Sequence, residues 1–172
     1  KVLKFAGSLI IGMCMGAAGV ILGISWFTGT SLTAFLEHLK IETLLSSMFI
    51  SLISLFIAGY LQIILHEAGH LLFGLATGYK FISFRIGKLT LIKEKGRFKI
   101  KYFKIPGTAG QCLLLPPDVS PQQLPFILYN LGGVLMNLFS AIVAILLLTT
   151  IPSIFTPLKL FLLFTALIGI LF

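Results

Sequence analysis

His66, Glu67 and His70 stand in the run Ile63-Ile64-Leu65-His66-Glu67-Ala68-Gly69-His70-Leu71-Leu72-Phe73. This stretch holds two of the chain's three histidines and one of its five acidic residues among apolar neighbours. In a helix, positions i and i+4 share a face, so the two imidazoles point the same way. Imidazoles at that spacing can bind one Zn²⁺, and a Glu beside the first can act as general base on a zinc-activated water. The predicted chemistry is hydrolysis of an amide by water, without a covalent enzyme intermediate. The competing reading is a histidine pair satisfied by polar neighbours in a helix bundle, and the chain offers few such neighbours. Polar groups in an apolar run are costly, so three together call for a function.

The elements that must position these residues are apolar. Of the 172 residues, 58% are hydrophobic and 10% charged, with a mean hydropathy of +1.08. A soluble domain carries roughly 25% charged residues. These numbers predict an all-α polytopic membrane protein, with about four transmembrane helices and a small cytoplasmic-side β-hairpin or sheet insertion. The predicted spans are 5–27, 44–77, 125–150 and 158–172, in one membrane-embedded domain over 1–172. The run 43–77 is about 52 Å long as a straight helix, against a hydrocarbon core of about 30 Å. It must therefore tilt, break at a residue such as Gly59, or leave the membrane, and Gly78 is a plausible stop. Small residues in the first span (Gly12, Gly16, Gly19, Gly23) suit close helix packing.

Charge is uneven. Net charge is +8, and nine of the 13 basic residues lie from Lys80 to Lys104 against one acid, Glu94. The positive-inside rule then sets the N-terminus and loop 79–123 in the cytoplasm of a bacterial-type cell membrane, with 28–42 and 151–157 outside. The basic segment changes period. Arg97-Phe98-Lys99-Ile100-Lys101-Tyr102 alternates strictly, Lys95-Gly96 marks a turn, and Leu113 to Leu115 reads as an edge strand before Pro116. A basic β insertion over about 80–115 belongs at the membrane surface, facing anionic head groups. A solvated loop that only sets topology is the plainer alternative. Nothing resembles a nucleic-acid module, so no nucleic acid is expected as a partner. Cys14 and Cys112 lie in different environments and read as small apolar fillers. His38, among charged neighbours, reads as a surface histidine, and the bilayer is itself a partner.

Asn130 and Asn137 lie seven apart in the third apolar run, on one helical face. Asn137 closes Gly133-Val134-Leu135-Met136-Asn137. It could support the site, by binding substrate backbone, or simply join helices; for Asn130, helix packing is favoured.

His66-Glu67-Ala68-Gly69-His70 within a transmembrane run resembles the site-2 protease family of intramembrane zinc metalloproteases. Gly133 to Asn137 is similar to that family's Gly-x-x-x-Asn element, and the segment between the two runs resembles its membrane-associated β element. The resemblance covers about residues 60 to 145. It implies a zinc metalloendopeptidase acting on membrane-anchored or hydrophobic peptides, with His66 and His70 as metal ligands, Glu67 as catalytic base and the β element holding substrate extended. One feature departs from the family. Its third zinc ligand is an Asp of a later Asp-Gly pair, whereas the only Asp here is Asp118, followed by Val119 in a proline-rich loop. Lys1 and the apolar run ending at Phe172 suggest a piece of a longer protein, so the third ligand is expected beyond Phe172. The alternative is an inactive homologue, a membrane peptide-binding, transport or scaffold protein.

Overall fold

The computed structural model describes residues 41–120, 123–152 and 156–172. The predicted span 5–27, Cys14 and His38 lie outside them. Two compact units divide between Met48 and Phe49, and all that follows, save the first residues of the first helix, concerns the unit from Phe49 onward.

Helix α1 (Ile41–Ala76) carries the His-Glu pair. It passes Gly59 without a break. It stops where a glycine can turn the chain: Gly78 has φ +90°, Tyr79 N–H donates to the Gly74 carbonyl at 3.0 Å, and Gly78 N–H donates to Leu75 O at 3.2 Å. This 6→1 and 5→2 pair satisfies carbonyls that a helix end otherwise leaves open.

Four antiparallel strands follow: β1 (Lys80–Ile86), β2 (Leu89–Glu94), β3 (Arg97–Tyr102) and β4 (Gly110–Leu115), in the spatial order β3-β2-β1-β4. Local chemistry sets the β2–β3 hairpin. Glu94 faces Arg97 across the pair, and Lys95 and Gly96 both take positive φ, 49° and 77°, as a tight two-residue turn requires. Strand β3 is exposed along its whole length, with Lys99 and Lys101 both paired to Glu94. Those two ion pairs hold Glu94's carboxyl below the usual carboxylate range, Lys101 more than Lys99. Among the described residues, strand β4 pairs only with β1 and leaves its other edge open.

Helices α2 (Phe126–Thr150) and α3 (Thr156–Leu171) complete the unit. Apart from Leu162 of α3, their inner faces are small or polar: Gly132, Gly133, Asn137, Ala141 and Ala144 on α2, Thr165, Ala166 and Gly169 on α3. On α1, Ser54, Ala58 and Gln62 are buried, while Phe56 is 77% exposed. Large apolar side chains thus point outward along all three helices, including Phe139 and Leu146. Small inward residues let backbones approach. Gly69 of α1 and Gly132 of α2 meet backbone to backbone, and a Cβ on Gly132 would stand 2.6 Å from Gly69 O.

An all-α fold with about four spans is not what the described residues adopt. The described residues form three helices and a four-stranded antiparallel sheet. Two of these helices, over Leu45–Ala76 and Phe126–Thr150, are long and apolar enough to cross a membrane. The run predicted as span 158–172 lies in α3, an apolar helix described over 16 residues as far as Leu171, and it is not one of those two. Apolar composition counts residues, whereas a candidate span needs uninterrupted helical length, which residues 45–76 and 126–150 supply. The sheet is also more than an appendage, since it supplies one wall of the site described next.

Candidate metal centre

One turn of α1 presents His66 and His70 with ring centroids 4.8 Å apart and planes at 81°. Their Nε2 atoms face each other at 3.2 Å. Two nitrogens held about 2.0–2.1 Å from one tetrahedral ion stand about 3.3 Å apart. His70 Nδ1 lies 2.7 Å from the carbonyl oxygen of Tyr129 on α2. A carbonyl can only accept, so Nδ1 carries the proton and neutral His70 keeps a bare Nε2. Fixing the far nitrogen in this way is how proteins orient a ligating imidazole. The pair therefore fits two of the protein ligands of a zinc ion. Among the described residues, no group of three His, Cys, Asp or Glu side chains gathers to complete the set. Asp118 is exposed on the loop after β4. Cys112 is a free, buried cysteine, its thiol pushed up to about 12 by burial first and by the Glu67 charge second.

Helix α2 holds the other side of His66. Gly133 packs against the imidazole so closely that a Cβ would fall 2.6 Å from Nε2 and 2.7 Å from Nδ1. One turn on, Asn137 Nδ2 lies 3.3 Å from His66 Nδ1. Asn137 is fully buried, and its Oδ1 has no partner among the described residues. Asn130, placed on the same face by the seven-residue spacing, is exposed instead. The structure thus brings Asn137 to His66 and leaves Asn130 outside.

Glu67 faces the sheet. A Cβ on Gly110 would stand 2.8 Å from its Oε1, and the Cys112 backbone N–H is directed at its carboxylate. A cavity of about 250 Å³ lies here, lined by Ile63, His66, Glu67, Ala109, Gly110 and Phe172. It has room for several waters, with polar groups to hold them.

Three further residues build this arrangement, and the motif search did not single them out. Arg85 on β1 is 1% exposed. Its Nη1 donates to Gly87 O at 2.9 Å, its Nη2 donates to the Thr108 hydroxyl, and a longer contact of 3.4 Å reaches Gly110 O. Arg85 therefore fastens the β1–β2 turn to the loop that brings Ala109 and Gly110 against Glu67, aided by Gly87 N–H donating to Ala109 O at 2.7 Å. Gln62, one turn before His66 and 1% exposed, donates through Nε2 to Ser140 Oγ at 2.9 Å and to Thr165 O at 2.7 Å. It ties all three helices together beneath the site. Tyr129 stacks on Tyr79, with centroids 4.9 Å apart, and donates its hydroxyl proton to Cys112 O at 3.2 Å. That contact joins α2 to β4. For Gln62 a signal existed, since a polar side chain in a membrane-length apolar run is costly.

Compared with protein-family models, with curated proteins and with solved structures, the chain finds no match.

Proposed function

We propose that this protein is an intramembrane zinc metalloendopeptidase of the site-2 protease kind, cutting membrane-anchored or hydrophobic peptides. The observation that carries the reading is the convergence of His66 Nε2 and His70 Nε2 at 3.2 Å, beside a carboxylate that faces a water-sized cavity. His66 and His70 would hold the ion, with a third donor from outside the described residues. Zinc held there supplies a Lewis acid that acidifies water and polarises a carbonyl. Glu67 is the general base: it takes a proton from the attacking water and passes it toward the leaving amine.

Membrane embedding is supported by the outward-facing large apolar side chains of α1 and α2, the reverse of a soluble helix pattern. We place the basic sheet on the cytoplasmic side of a bacterial-type membrane, from its charge, with its lysines toward anionic head groups. A transmembrane substrate shields its amides in helical hydrogen bonds, so it must be held unwound to be cut. The open edge of β4 offers strand pairing for this purpose, and that edge runs past Glu67.

The test is cleavage of a membrane-anchored reporter by the full-length protein. Glu67→Gln should abolish cleavage and keep the metal, and cleavage that survives the substitution sinks the reading. One observation favours a second reading: no third donor joins the histidines among the described residues. An inactive homologue that binds or transports peptides would look the same. Metal analysis of the full-length protein separates the two, since only the protease reading requires about one zinc per chain.

A further inference from the structure

From the contacts around His66 we infer that Asn137 is a positioning residue, whose amide turns over with the tautomer of His66 and so sets that imidazole for metal or for metal-free closure. The inference rests on the zinc reading above. It begins at His70, whose Nδ1 must carry a proton because Tyr129 O can only accept it. His70 Nε2 is then a bare lone pair. His66 Nε2 faces it at 3.2 Å, and two bare lone pairs at that distance repel, so a proton or a cation must sit between them. With a proton there, on His66 Nε2, the Nδ1 of His66 is bare. It then accepts from Asn137 Nδ2 at 3.3 Å. The chain of donors Asn137 to His66 to His70 to Tyr129 O is complete, and it closes the pair without a metal.

With a cation between the rings, His66 must give up the Nε2 proton to ligate. As a neutral imidazole it carries its proton on Nδ1. That N–H would meet the Nδ2 of Asn137 donor to donor. Half a turn of the amide brings Oδ1 there instead, as acceptor. Among the described residues no hydrogen bond resists the turn: Asn137 Oδ1 has no partner, and Nδ2 bonds to His66. His66 alone selects which end of the amide faces it. A ligating imidazole whose outer N–H has an acceptor is oriented and made more basic, and removing such an acceptor typically weakens metal binding by about 10–100-fold.

The experiment uses full-length protein in detergent, in a His38→Gln background, with ¹⁵N-labelled histidine and NMR detection of ring tautomers. Stripped of metal, wild type should show His70 protonated at Nδ1 and His66 at Nε2. With Zn²⁺, both should carry Nδ1–H. In Asn137→Asp, which only accepts, metal-free His66 should gain Nδ1–H while keeping the proton between the rings, and zinc affinity measured against a chelator should hold or rise. In Asn137→Leu, which neither donates nor accepts, affinity should fall about 10–100-fold, with the melting temperature reporting the fold. A His66 tautomer that ignores Asn137→Asp in metal-free protein overturns the inference, as does an Asn137→Leu variant that folds and binds zinc as wild type does. Failure of the protease reading looks different: the metal-free tautomers shift as stated, yet wild type takes up no zinc.

Discussion

Gly133 lies against the face of the His66 imidazole with no room for a single added carbon: a Cβ there would stand 2.6 Å from both Cε1 and Nε2. The helix α2 backbone is thus the surface on which the first histidine rests. Gly133→Ala must push the ring away or part the helices. The expected outcome is loss of zinc affinity by tenfold or more, read by competition with a chelator. A displacement of about 1 Å suffices, because a metal site tolerates distance errors of only about 0.2 Å. Gly133→Ala protein that binds zinc as wild type does would show that the ring is not held there.

Glycines along α1 separate close approach from mere smallness. A Cβ at Gly69 would meet Gly132 C at 2.6 Å and Met136 Cβ at 2.9 Å, whereas at Gly59 it would meet only Ile168 Cδ1, at 3.9 Å. Gly69→Ala should therefore destabilise by about 1–3 kcal/mol through overpacking. Gly59→Ala should be neutral or stabilising by up to about 1 kcal/mol, since alanine favours the helix. Thermal unfolding of both variants in one detergent compares them directly, and equal melting temperatures would refute the close contact.

Arg85 should matter more to turnover than to folding. Its guanidinium bridges Gly87, Thr108 and Gly110, behind the wall that Gly110 presents to Glu67. Arg85→Met removes a buried cation, which offsets part of the hydrogen-bond loss in the stability balance. The loop is nevertheless left unfastened beside the base. Cleavage should drop by tenfold or more with a smaller change in melting temperature. Arg85→Lys should recover little, because an ammonium cannot reproduce the planar fork. Full activity in Arg85→Lys would show that charge alone suffices.

The parts of this molecule that follow local rules were legible in the sequence. A helix obliges residues four apart to share a face, so His66 and His70 had to meet. A strictly alternating run after Lys95-Gly96 had to lie as one strand of a hairpin. Asn137 stood out as an amide deep in an apolar helix, and it is fully buried. The same reasoning misled for Asn130. Spacing fixes angular position on a helix, but not whether another element covers that level, and near the start of α2 Asn130 is exposed. Arg85 could not be singled out from the eight other cations between Lys80 and Lys104. Its burial depends on residues 107–110 returning against β1, a pairing between segments about 25 residues apart that leaves no local mark. The number of spans was misjudged for a related reason. Apolar composition is common to helices of different length, and two of those described are long enough to cross a bilayer.

Gln62 offers the sharpest test of how the three helices are fixed beneath His66 and His70. Its amide donates to Ser140 Oγ on α2 and to Thr165 O on α3, and Ser140 in turn donates to Asn137 O at 2.7 Å. A Cβ added at Gly169 would stand 2.8 Å from Gln62 Nε2 and 2.6 Å from Asn137 O. Gln62→Leu keeps most of the volume and removes the donors. It should cost about 0.5–2 kcal/mol, the range for a polar contact between membrane helices. Gly169→Ala should cost more, since it strains the α2 backbone as well as the amide. The double variant should cost less than the sum, because leucine can yield where the bound amide cannot, and contacting residues couple by about 0.5–3 kcal/mol. Unfolding of the two single variants and the double variant measures that coupling. Strict additivity would mean that Gln62 does not stand against Gly169, and that the polar tie beneath His66 is not what holds α3 in place.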